Sequence, residues 1–317
     1  MTTISKINLG IIGAGHIANE HLKVLNEISS INIKGLTSRT YSRAKQLATN
    51  YNIEKTYVDI DSLINECELD GIMILVSADQ IFDVTNKLIP LKIPLFIEKP
   101  AGLNPSETKK LATKANNYKT KNMVGYNRRF YSIFQKGIDI IKSSGKLLGV
   151  QIEGHERFWK IPINNFSSEI KENWIFANST HTIDLLRFFG GEIKTSFSLN
   201  KSINEVNGDQ FTSSIEFKSG ALGTYISNWL SPGGWSVKLY GEGVSVIFSP
   251  LEKGTWTNSD FQTFDILPDE IDINYKPGFF AQANSFINLI VNNALNYPAQ
   301  NLEGAYKTML LAEKMKS

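Results

Sequence analysis

Residues 7–12, Ile-Asn-Leu-Gly-Ile-Ile, run straight into Gly13-Ala14-Gly15-His16-Ile17-Ala18. An apolar run that ends on glycine reads as a buried strand. The next apolar residues, Ile17, Leu22, Leu25 and Ile28, recur at helical spacing, so the glycines occupy a strand-to-helix turn. Gly13 permits a tight turn, Gly15 lets a phosphate approach the backbone, and Ala18 lets the helix lie close to the strand. The free amides and dipole of a helix start favour negative charge. With a second strand following at 31–36, the context is that of a dinucleotide fold. It predicts that Gly13, Ala14, Gly15, His16 and Ile17 hold a pyrophosphate.

The rest of the first half keeps the rhythm. Ala44, Leu47, Ala48 and Tyr51 mark a helix. Residues 71–76 are nearly all apolar, as expected of a central parallel strand covered on both faces. A strand at 93–97, a helix at 106–116 and a strand at 123–126 follow. This alternation predicts a doubly wound parallel sheet. The second half changes to period-two alternation at 149–158, 193–199, 211–217, 222–226, 236–239 and 244–248, with turn residues such as Lys218-Ser219-Gly220 between. That pattern suits a mostly antiparallel sheet with one face on a core. A helix at 179–189 interrupts it and Gly190-Gly191 ends that helix. Helices at 279–293 and 302–316 close the chain. The expected organisation is α/β throughout: a Rossmann domain over 1–125, a second α/β domain over 126–300, and a C-terminal helix over 301–317 that packs back on the first. Ligands are expected at the carboxyl ends of the parallel strands.

Composition narrows the function classes. The 317 residues carry 33 basic and 31 acidic side chains, a net charge of +2, and the basic residues are dispersed. No nucleic-acid footprint is present. The single cysteine, Cys67, rules out an internal disulfide and fits a reducing cytoplasm. No leader is expected at the start, and no apolar run approaches the ~18 residues of a membrane span. The histidines lack the spacing of a helical zinc site, and no serine-hydrolase elbow occurs, so neither a metal nor a serine nucleophile is expected.

The residues after the second strand bear on cofactor choice. An acidic residue there would hold the ribose 2′-hydroxyl of NAD. This chain has Thr37-Ser38-Arg39, with Arg43 one turn on. A hydroxyl beside arginines suits a 2′-phosphate, so Ser38, Arg39 and Arg43 point to NADP in preference to NAD. The plain alternative is a solvated helix start.

Four motifs now stand in order: Gly13-x-Gly15-x-x-Ala18, Glu98-Lys99-Pro100, Gly125-Tyr126-Asn127-Arg128-Arg129-Phe130 and His181-Thr-Ile-Asp184. Together they resemble the glucose–fructose oxidoreductase / inositol dehydrogenase / MocA family, along the whole chain. The resemblance implies nicotinamide-dependent oxidoreduction of a secondary alcohol on a sugar, cyclitol or nucleotide-linked sugar, and a homodimer or homotetramer built through the second sheet. It gives Lys99 a place between nicotinamide and substrate and gives His181 the catalytic histidine's role. The chain departs from the family in two places. Ala177 stands where many members have an aspartate four residues before the histidine. Ser77-Ala78-Asp79 replaces a Thr-Pro turn, which leaves Ser77 to line the cofactor side through its backbone.

These residues suit the chemistry. Histidine, with an ordinary pKa near ~6.5, fits proton abstraction from an alcohol. A lysine ammonium donates to a developing alkoxide. Asp184, three residues from His181 on one helix face, has two readings. It orients the imidazole as part of the catalytic set, or it pairs with Arg187 or a strand. Glu98 positions Lys99 or contacts the nicotinamide side, and Pro100 is a candidate for a cis peptide. Asn127 is expected at the nicotinamide and Arg128 at the substrate, unless Arg128-Arg129 merely pairs at a helix start. Trp174, Trp229 and Trp235 are either sugar-stacking faces or core, and Trp174 is the favoured substrate contact. Two rival functions share the fold: a redox-neutral sugar-modifying enzyme with retained cofactor, and a cofactor-bound sensor without turnover.

Overall fold

The computed structural model describes residues 6–204 and 208–317. The opening residues 1–5, read above for the absence of a leader, lie outside the described residues. The chain divides into two compact units, Met1–Asn127 with Asn274–Tyr306, and Arg128–Ile273 with Lys307–Ser317.

In the first unit, strands β1 (Ile7–Ile12), β2 (Ile31–Thr37), β3 (Thr56–Tyr57), β4 (Gly71–Ile74), β5 (Leu95–Glu98) and β6 (Asn122–Gly125) form one sheet in the order β3-β2-β1-β4-β5-β6. Every pairing is parallel. The helices between them are α1 (His16–Leu25), α2 (Tyr41–Asn50), α3 (Ile60–Glu66), α4 (Ala78–Leu88) and α5 (Pro105–Tyr118). The central strands are apolar on both faces because both are covered: Leu9, Ile11, Ile72, Ile74, Phe96 and Val124 are buried. Each such side chain contributes about 1.5–3 kcal/mol of transfer free energy. Local signals fix the helix starts. Asn104 caps α5, accepting from Glu107 N at 2.9 Å, with Pro105 in the first turn. The strand order reverses between β1 and β4, which puts the crevice of a doubly wound sheet at the carboxyl ends of those two strands.

In the second unit, α6 (Ser132–Ser144), β7 (Leu147–Gly154), α7 (Ser168–Glu172) and α8 (Thr180–Gly190) precede a run of strands: β8 (Ile193–Lys201), β9 (Gln210–Phe217), β10 (Leu222–Asn228), β11 (Trp235–Gly241), β12 (Val244–Phe248), β13 (Gly254–Thr257) and β14 (Thr263–Ile266), then α9 (Glu270–Asn274). The strands form an eight-stranded sheet, β14-β13-β12-β11-β7-β10-β9-β8. It is antiparallel except where β7 meets β10. Helices α6 and α8 cover one face. A Cβ on Gly154 would lie 2.3 Å from Tyr225 Oη and 2.7 Å from Thr182 Oγ1, so the missing side chain is what lets α8 approach β7. On the other face Phe197, Leu199, Leu222, Ile226 and Tyr240 are exposed.

The chain closes with α10 (Phe279–Asn292), which packs on α1, and α11 (Leu302–Lys316). The division between the units falls within α11, after Tyr306. Among the described residues no helix is long and apolar enough to cross a membrane.

Candidate functional site

In the first unit the glycine loop closes the carboxyl end of β1. Gly13 has φ +118°, and a Cβ there would lie 2.3 Å from Leu75 O. Its N–H donates to Thr37 O at 2.8 Å, which ties the loop to the end of β2. Gly15 differs: a Cβ on it would meet nothing within 4 Å. Gly15 is the N-cap of α1, where no side chain caps the helix and no acidic residue sits in the first turn. The leading amides of α1 are left for an anion. A cavity of about 460 Å³ opens against this loop, lined by Gly13, Ala14, Gly15, Ser38, Arg39 and Arg43 together with Ser77. His16 lines a neighbouring cavity of about 290 Å³, beside Asn19 and Arg43. Ile17 lies in the first turn of α1 and lines neither cavity. Among the described residues neither Arg39 nor Arg43 is paired with a carboxylate. The carboxylate of the larger cavity, Asp59, instead caps α3 by accepting from Ser62 N at 2.7 Å. The hydrogen bonds from Ser62 hold its carboxyl below the ordinary value.

At the end of β5, Glu98 Oε2 accepts from His21 Nε2 at 3.2 Å. Lys99 follows, half-buried, and the Lys99–Pro100 peptide is cis. Asn127 is buried and its Nδ2 donates to Pro277 O at 3.1 Å.

In the second unit His181 lies in the first turn of α8, which emerges from a π-helical turn, Ile175–Ser179. Its ring centroid is 6.0 Å from that of Trp235, and the Arg128 guanidinium lies 4.4 Å over the Trp235 ring. Asp184 is 1% exposed. Arg129 donates to both its oxygens, Nε at 2.6 Å and Nη2 at 2.9 Å, and Thr308 Oγ1 donates at 2.7 Å. Burial pushes this carboxyl up, but Arg129, Arg187 and Thr308 outweigh it and hold it low. Arg129 is thus a bidentate partner of Asp184, and the Arg187 charge acts on the same carboxyl. Arg187 donates to Thr308 Oγ1 and Glu192.

A cavity of about 570 Å³ in the second unit is lined by Arg128, Glu156, Arg157, Trp174, Asn178 and Trp235. Glu156 is 7% exposed and was not singled out from the sequence. It accepts from Ser179 Oγ at 2.6 Å, from Trp174 Nε1 at 3.2 Å and from Asn178 Nδ2. It thus fastens the turn that leads to His181. Arg157 takes a left-handed backbone at φ 50°, an uncommon state for a side chain of its size. Of the three tryptophans, Trp174 and Trp235 line the cavity. Trp229 is core: it stacks on Phe158 at 5.5 Å and donates to Ser227 Oγ.

Residues 7–126 match a family model described as "Oxidoreductase family, NAD-binding Rossmann fold". The chain is 25% identical to the rhizopine catabolism protein MocA of Rhizobium meliloti over 199 residues, covering 63% of this chain and 62% of that protein. It is 26% identical to the scyllo-inositol 2-dehydrogenase (NAD(+)) of Bacillus subtilis (strain 168), covering 83% and 80%. The fold matches an oxidoreductase from Agrobacterium radiobacter, solved in complex with NAD+, L-tartaric acid and magnesium. That TM-score is 0.83 at 17% identity, over 98% of this chain and 95% of that one.

Proposed function

The chain belongs to the glucose–fructose oxidoreductase / inositol dehydrogenase / MocA family of NAD-binding oxidoreductases, and from that premise we propose that it interconverts a secondary alcohol and its ketone on a sugar, cyclitol or nucleotide-linked sugar. The nicotinamide dinucleotide supplies the hydride acceptor and donor when bound. NADP is the preferred form, because Ser38, Arg39 and Arg43 border the cavity beyond β2 where an NAD site has a carboxylate.

The roles divide as follows. Gly13, Ala14 and Gly15 with the amides of His16 and Ile17 bind the pyrophosphate, and Ser77, Glu98 and Asn127 serve the cofactor side. Lys99 donates to the alcohol oxygen as negative charge develops there. His181 takes the hydroxyl proton and returns it in the reverse direction. Arg128, Trp174 and Trp235 border the cavity that receives the substrate, with aromatic faces for its C–H surface and charged groups for its hydroxyls. Asp184 serves the fold of α8 through Arg129, which favours the structural reading over an orienting role. The exposed apolar residues of the open sheet support a homodimer or homotetramer of this chain. The reaction belongs to the cytoplasm, consistent with a single free cysteine.

The observation that carries the reading is the contrast between Gly13 and Gly15, the first crowded and the second open beside an uncapped helix. The test mixes the protein with NADP⁺ or NAD⁺ and a panel of sugars, inositols and nucleotide-linked sugars. Reduced nicotinamide should accumulate with at least one alcohol. Binding of cofactor with no alcohol consumed would turn the reading to a sensor, and product without net reduction would turn it to a redox-neutral enzyme.

A further inference from the structure

The cofactor helix carries a second device one turn beyond its phosphate-facing end. His21 is 1% exposed, on the face of α1 that also buries Ala18, Leu22 and Leu25. Its ring packs at 5.0 Å from Phe96 and 4.5 Å from Phe279. The polar side of the ring does not turn into this apolar nest. Nε2 donates to Glu98 Oε2 at 3.2 Å, across 77 residues of sequence. Glu98 is held from a second side as well. It pairs in register with Gly125 of β6, and a Cβ at Gly125 would lie 2.8 Å from the same Oε2. A side chain at position 125 would press on the carboxylate where it meets His21.

The strand order gives this contact a purpose. The glycine loop and the end of β2 lie on one side of the switch between β1 and β4, and β5 lies on the other. A dinucleotide spanning that crevice has its pyrophosphate and adenosine on the first side, so its nicotinamide half falls on the side of β5. We propose that His21 is a positioning residue: it aims Glu98, and with it the turn through Lys99, at the nicotinamide half, so that α1 serves both ends of the cofactor. The inference rests on the dinucleotide reading of the glycine loop.

The experiment needs no substrate. The affinity of the full-length protein is measured by calorimetry for NADP⁺ and for 2′-phospho-ADP-ribose, which lacks the nicotinamide. In His21→Leu, close in bulk but without a donor, NADP⁺ affinity should fall about tenfold, as for a lost hydrogen bond to a charged group, while the fragment's affinity stays put. His21→Gln, which restores an N–H at similar reach, should recover most of the ratio. If His21 were only a core side chain, its loss would lower thermal stability and leave the ratio unchanged; that result overturns the proposal. A parallel fall for both ligands would overturn it too, since it would report damage to the phosphate loop. Failure of the unaltered protein to bind NADP⁺, NAD⁺ or either ADP-ribose fragment would overturn the dinucleotide reading itself.

Discussion

Arg129 grips Asp184 with two hydrogen bonds, and both residues are more than nine-tenths buried. An aspartate three residues from His181, the proposed base, invites an orienting role. Its oxygens are instead turned to Arg129 and Thr308, and they lock α8 to the start of its unit and to α11. Asp184→Asn should therefore act on stability. It leaves a buried guanidinium short of its counter-charge, a loss of about 3–5 kcal/mol. A urea titration followed by fluorescence would show the midpoint fall, and an unchanged midpoint would contradict the assignment.

The same pair sets an acid limit. The Asp184 carboxyl sits below its ordinary value in the folded protein, so the unfolded chain binds its proton first as pH falls. The stabilisation is complete above the unfolded value of about 3.9 and is lost as pH drops through the lower folded value. Melting curves from neutral pH down to acid should show a steeper loss for the unaltered protein than for Asp184→Asn.

Arg39 and Arg43 border the cavity beyond β2 without a carboxylate partner among the described residues. Arg39→Ala should weaken NADP⁺ by about tenfold and leave NAD⁺ nearly unchanged, since only the former carries the extra phosphate. Equal affinities for the two cofactors before and after the change would refute the NADP preference.

Lys99→Met keeps the length and apolar stem of the side chain and removes the ammonium. Turnover should fall by about 10²–10⁴ while cofactor affinity stays within a few-fold. Steady-state rates with the first alcohol that reduces the cofactor, set beside a binding isotherm, would separate the two effects.

Glu156→Ala frees three donors on the turn before His181. We expect kcat to fall and NADP⁺ affinity to hold, because the carboxylate belongs to the second unit's cavity. A variant with full kcat would show that the turn holds its shape unaided.

Much of the fold was legible because burial on both faces writes itself as uninterrupted apolar runs. Residues 7–12 and 71–76 announced their strands for that reason. The last two strands, β13 and β14, were not legible: most of their side chains are only half-buried or exposed, so no alternation marks them. Alternation also carried the β7 reading through to 158, whereas the strand ends at Gly154 and Arg157 turns left-handed. The site was legible where a motif fixes backbone geometry, as at Gly13 and Gly15. It was not where a contact joins distant residues, as between His21 and Glu98. Signals did exist. His21 falls in helical phase with Ala18 and Leu25, on the buried face. Glu156 follows Ile152 and Gly154 on the core-facing parity of β7, where a charge is out of place. A polar residue on an apolar phase marks a position whose partner must be sought elsewhere in the chain.

The two glycines of the loop after β1 also differ in what kind of selection they would feel. At position 13 any side chain collides with the backbone at Leu75 and strains a left-handed φ, so a saturation library sorted only for protein abundance should already be stripped to glycine there. At position 15 the space above the backbone is vacant, so the same abundance sort should pass many residues, and only a sort for cofactor capture would narrow them. Two positions of one motif would then read out two separate quantities, the first a gauge of folding and the second a gauge of ligand.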